Sequence, residues 1–168
     1  MKKSEITIKN YQQLAMRTCL PQCKDRLYAI FGMSSESFEM LGKIDGLRAK
    51  QIRRDSPDAL ANLLGEIKSE IGDVFWFTAL ICELEGYEFA ELFESSFPDR
   101  NYFLIKKFVY SDFPPSVISA KSLVEHIGVL KRICRVVGTT PIACMRENIL
   151  KLASRAERGK IKGNGDKR

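Results

Sequence analysis

Glu66-Ile67-Lys68-Ser69-Glu70-Ile71-Gly72-Asp73-Val74-Phe75-Trp76-Phe77 sets two acids, Glu70 and Asp73, three residues apart inside a strongly apolar run. Leu60, Leu63, Leu64, Ile67, Ile71, Val74, Phe75, Thr78, Ile81 and Cys82 recur at helical spacing and make one continuous stripe. Ser56-Pro57 is a cap followed by proline at the first helical position, and Gly86 fits a left-handed stop. The spacing therefore predicts one helix from about 57 to 85. On it Glu66, Glu70, Asp73 and Phe77 form a strip beside the apolar stripe. Trp76 falls on the opposite side, where a subunit contact or a contact to a base is expected.

Upstream, Glu36 and Glu39 repeat the three-residue spacing. They lie near the start of a mostly helical segment, 27–53, whose pattern Gly32, Ser34 and Ser35 interrupt. A helix start near Ser34 is one reading, with Phe38, Leu41, Ile44 and Leu47 on its buried side. Residues three apart on a helix point about 60° from each other, so their side chains reach one ion. If the two helices pack antiparallel, the four carboxylates face one another. Close carboxylates at the rim of a core repel, and a hard divalent cation with oxygen ligands relieves that repulsion. Either pair alone is commonly a solvated helix face; the two together carry the metal reading. A ferritin-like di-iron site is disfavoured, because that design needs E-x-x-H pairs and His126 has no acid three residues before it.

Before these segments, residues 10–19 read as a helix with Asn10 as cap, ended by Pro21. After them, 88–95 form a short helix. The stretch 96–122 breaks the pattern with Pro98, Pro114 and Pro115 among many aromatics, and is expected to be an insertion that packs on something. Helix returns at about 120–137, and Thr140-Pro141 opens a last helix to about 157. On that helix Asn148, Lys151 and Arg155 recur at i, i+3 and i+7, an amide and two cations suited to phosphate oxygens. No convincing strand pair exists, so the fold class is all-α and 1–168 reads as a single domain.

Composition agrees with a folded chain: 168 residues, 45% hydrophobic and 29% charged. No apolar run is long enough to span a membrane and the start lacks an apolar leader core, so a cytoplasmic protein with no membrane partner is expected. The five cysteines, without a second close pair or a second histidine, read as small thiols rather than disulfides or zinc ligands. The net charge is +6, and residues 155–168 hold +4 of it. This basic tail, 158–168, suits a phosphorylated ligand; Lys160, Lys162 and Arg168 are candidates to fold over one. Nucleic acid is the less expected partner.

The chain resembles the MazG-like nucleotide pyrophosphohydrolases of the all-α NTP pyrophosphatase superfamily. Tyr11-Gln12 with Ala15 resembles the opening helix, and the segment from Phe31 to Glu39 resembles the first E-x-x-E. The run from Glu70 to Phe77 is similar to the E-x-x-D helix and is the most specific match. The run from Asn148 to Arg155, with the Gly163–Arg168 end, is similar to the C-terminal signature. The resemblance covers roughly residues 10–95 and 140–168. It implies a MazG-like helical bundle that hydrolyses a nucleoside triphosphate to the monophosphate and pyrophosphate with Mg²⁺, or Mn²⁺ in its place. It implies Glu36, Glu39, Glu70 and Asp73 as metal ligands, Glu39 and Glu70 as catalytic groups, and Asn148, Lys151 and Arg155 as substrate contacts. A homodimer or homotetramer is implied as well. The departures are the thirty residues between Glu39 and Glu70 and the lack of a counterpart for 96–139. A phosphoribosyl-ATP pyrophosphohydrolase-like enzyme and a non-enzymatic helical module with a nucleic-acid-binding tail are the alternatives.

Overall fold

The computed structural model describes residues 5–97 and 118–159. Among these residues the chain is all-α, with six α-helices, one short 3-10 turn and no strand. The helices are α1 (Ile8–Met16), α2 (Arg26–Arg53), α3 (Pro57–Glu85), α4 (Phe89–Ser95), α5 (Ala120–Val136) and α6 (Pro141–Glu157). The Ser56-Pro57 start and the Gly86 stop of α3 fall where the sequence places them. Ser56 accepts from the Ala59 N–H, and Gly86 adopts φ 75°.

Two local readings are corrected. First, α1 starts earlier, with Thr7 as cap; Asn10 is its partner inside the helix, accepting from the Thr7 N–H at 2.8 Å. Second, α2 runs unbroken through Gly32, Ser34 and Ser35. Gly32 is there for closeness: a Cβ on it would sit 2.1 Å from the Phe77 ring. The expected return of helix at about 120 is borne out, so the last residues of the stretch 96–122, read as an insertion, are helical. Ile118 is buried in the core, and Ala120 opens α5, which Ser119 caps. The Pro98–Pro115 part of that expectation lies outside the described residues.

Helix α3 is the centre. It packs most extensively on α2 and also touches α1, α4, α5 and α6. Its second half is therefore buried nearly all round, from Ile67 and Ile71 to Ile81 and Cys82. Trp76 belongs to this burial rather than to an outer surface. Helix α1 covers it, and its indole N–H donates to the Ala15 carbonyl (3.2 Å) and to Thr18 Oγ1 (3.1 Å). Gln12 ties three elements together, donating to Glu83 on α3 and accepting the N–H of Phe89 at the start of α4. Lys131 of α5 closes the other end of α4 by donating to the Phe93 and Ser96 carbonyls. The core between α1, α3 and α4 is largely aromatic, with Tyr11, Phe75, Phe89 and Phe93 in tilted or edge contacts. His126 is buried in α5, and burial pushes its pKa down to about 4, so it is neutral at pH 7. All five cysteines are free thiols.

Candidate metal centre

Two helices supply the acids. Arg54 takes a left-handed turn (φ 58°) and the chain reverses within three residues, so α2 and α3 run antiparallel. The contact of Gly32 with Phe77 fixes the register, and it carries Glu36, one turn after Gly32, to Asp73, one turn before Phe77. Glu36, Glu70 and Asp73 each offer an oxygen, and these oxygens lie within 4.8 Å of one another. Glu39, the fourth expected ligand, stands outside this group. It is exposed at the rim, and its charge is felt by Glu36.

Helix α6 closes the other side. Gly72 permits it: a Cβ there would lie 2.8 Å from the Cys144 carbonyl oxygen and 2.9 Å from Asn148 Cβ. The close approach sets Asn148 and Lys151 against Asp73. Asn148 Nδ2 donates to Asp73 Oδ1 at 2.6 Å, and Lys151 Nζ lies 2.8 and 2.6 Å from the two carboxylate oxygens. Lys151 also donates to Ser69. Arg155, a turn further on, adds positive charge in the field of Asp73. Thus the structure gathers Glu36, Glu70, Asp73, Asn148 and Lys151, with Arg155 near enough to act by charge. Lys160, Lys162 and Arg168 lie outside the described residues.

The sequence reading missed Lys43. Its Nζ lies 2.5 Å from Glu70 Oε1 and 3.5 Å from Glu66 Oε2. The signal was present: Lys43 follows Glu36 by seven residues, two turns along the same face of α2. Tyr11 was placed only in an opening helix, yet its fully buried hydroxyl sits in the field of Asp73.

The electrostatics follow from burial. Glu70 is 2% exposed. Glu36 has its pKa pushed up to about 8, first by desolvation, then by the charge of Asp73 and by a hydrogen bond and charge from Glu70. At pH 7 it is largely protonated and donates to Glu70. Desolvation also raises Asp73, against the opposing pull of Lys151. For Lys43, burial works downward, but the hydrogen bond and charge of Glu70 outweigh it and the net shift is upward. The cluster is thus balanced by one proton and two ammonium groups.

The donor set fits a hard divalent cation. All three acids present oxygen, and oxygens on opposite sides of a Mg²⁺ stand roughly 4 Å apart, so small side-chain movements suffice. Two buried polar atoms beside the cluster, Asn148 Oδ1 and the Tyr11 hydroxyl, have no hydrogen-bond partner among the described residues. Buried orphans of this kind mark a place where a further group belongs. No helix among the described residues is long and apolar enough to cross a membrane. No protein-family model matches the chain, and no curated protein or solved structure matches it either.

Proposed function

We propose that the protein is a divalent-metal-dependent nucleoside triphosphate pyrophosphohydrolase of the MazG-like kind. The observation that carries this reading is the meeting of Glu36, Glu70 and Asp73 from two antiparallel helices, with Asn148 and Lys151 of a third helix against them. Glu36, Glu70 and Asp73 would hold Mg²⁺, or Mn²⁺ in its place. When bound, the cation screens the phosphate charges and lowers the pKa of the attacking water.

The protein's own groups do the rest. Lys151 and Arg155 leave the field of Asp73 for phosphate oxygens, Lys as a point charge and Arg with its fork. Asn148 orients the Asp73 carboxylate through its Nδ2 donor. A water oxygen bonds to the α-phosphorus, the bridge to the β-phosphate breaks, and pyrophosphate leaves. Glu39, exposed at the rim and so free to exchange protons with solvent, takes the proton of the water.

The test is pyrophosphate release with Mg²⁺ from canonical, deoxy and damaged triphosphates, with phosphoribosyl-ATP in the same panel. Turnover of at least one is expected. Glu70→Gln and Asp73→Asn should each lower kcat by about 100-fold or more while helicity by circular dichroism is kept. Full rate in both variants would falsify the site. Absence of turnover with salt-dependent RNA or DNA binding, lost on removing residues 158–168, would favour the helical binding module instead.

A further inference from the structure

Glu66 lies outside the group formed by Glu36, Glu70 and Asp73, but it shares a lysine with that group. Lys43 Nζ sits between two carboxylates of α3, 2.5 Å from Glu70 and 3.5 Å from Glu66. The two differ sharply in surroundings: the Glu70 side chain is 2% exposed and the Glu66 side chain 58%. They are four residues apart, one helical turn, with Glu66 the outer of the two. Lys43 itself is 20% exposed.

A divalent cation bound by Glu70 would repel an ammonium group held 2.5 Å from the same carboxylate. That repulsion favours a displacement of Lys43, and its long stem allows a short move outward. The seat for that move is already there. Resting on the metal reading given above, we infer that Lys43 is a sliding counter-ion: it neutralises buried Glu70 before a divalent cation binds and shifts to Glu66 when the cation takes Glu70. The orphaned Asn148 Oδ1 and Tyr11 hydroxyl beside the cluster independently mark the place as one that takes a further group. Glu66 thereby acts as a positioning residue, working through Lys43 and touching neither cation nor substrate. It keeps Lys43 partnered in the loaded state, so that displacing Lys43 does not cast its charge into the site.

Mn²⁺ titration of the full chain without nucleotide, followed by calorimetry or by the resonance of free Mn²⁺, tests this in four proteins: the native chain, Lys43→Met, Glu66→Gln and the double variant. Circular dichroism checks the helices, and Lys43→Gln replaces Lys43→Met if the latter loses them. Removing Lys43 should tighten Mn²⁺ about tenfold, because the cation no longer competes with an ammonium group. Removing Glu66 should weaken Mn²⁺ about threefold when Lys43 is present and leave it unchanged when Lys43 is absent. Equal weakening in both backgrounds makes Glu66 a simple charge near the site and overturns the inference while the metal centre stands. No effect of Glu66→Gln in the native background overturns it likewise. If none of the folded proteins binds Mn²⁺, the metal centre itself is overturned, and the sliding lysine with it.

Discussion

Glu36 makes the cluster pH-sensitive in a direction that can be worked out. Its unfolded carboxyl titrates near 4.5 and its folded one near 8. Between those values the folded state holds a proton that the unfolded state has released. Stability therefore falls as pH rises through this window, and is fullest below the lower value. Glu36→Gln, which stays neutral, should abolish that slope. Its Tm should exceed that of the native chain above about pH 8 and converge with it below about pH 4.5, read by thermal melts in metal-free buffer. What the sequence shows at this scale is uneven. Glu36, Glu70, Asp73, Asn148 and Lys151 all come out of helical spacing and do meet. Glu39 stands three residues from Glu36 as Asp73 does from Glu70, yet the packing of α2 on α3 leaves Glu39 exposed on the rim while Asp73 joins the cluster. Lys43 escaped notice because it is one of several cations along α2, with Arg48, Lys50 and Arg53. Whether a cation pairs with its own helix or reaches across to the next is a question of packing, which spacing alone does not answer.

At the scale of elements, two glycines set how close α3 comes to its neighbours, and they differ in what they face. Gly32 faces a ring, a side chain that can turn; Gly72 faces the Cys144 carbonyl and Asn148 Cβ, which move only with α6. Gly72→Ala should cost about 1–3 kcal/mol in urea unfolding, because a backbone must give way. It should also weaken divalent-cation binding by displacing Asn148 and Lys151 from Asp73. Gly42 is the control: it is exposed, with nothing within 4 Å of a Cβ, and alanine there should be neutral or stabilising by up to about 1 kcal/mol. Helix boundaries were readable wherever a cap and a breaker coincide, as at Ser56-Pro57, Gly86 and Thr140-Pro141. They were misread at Gly32, where the glycine answers to Phe77 far along the chain. Trp76 was misread for a related reason. A stripe implies a helix with one buried side, but α3 is covered by α1 on the side where Trp76 points.

For the whole molecule, a ligand that binds only the folded chain raises its stability by mass action. Saturating Mg²⁺, at about 100 times its Kd, should add about 2.7 kcal/mol, which is a Tm rise of several degrees for a chain of this size. A chelator should reverse it. The rise should be larger at pH 8 than at pH 6, since the cation requires Glu36 ionised. Glu70→Gln and Asp73→Asn should lose most of it. The all-α class was legible from composition and period, because no stretch alternates as a strand does. The central place of α3 was not: five other helices meet it, and that follows from the summed packing of the chain.

The tight reversal at Arg54–Ser56 has a kinetic side. Glu36, Glu70 and Asp73 sit on two helices adjacent in the chain, so their meeting is a local event that closes a short loop. Lys151 lies 78 residues beyond Asp73 and joins by a far longer closure. During folding the acids can therefore assemble before one of their two ammonium partners arrives. For that interval the hairpin of α2 and α3 carries more uncompensated negative charge than at any later stage, and a divalent cation in the medium meets its ligands when they hold it with least competition.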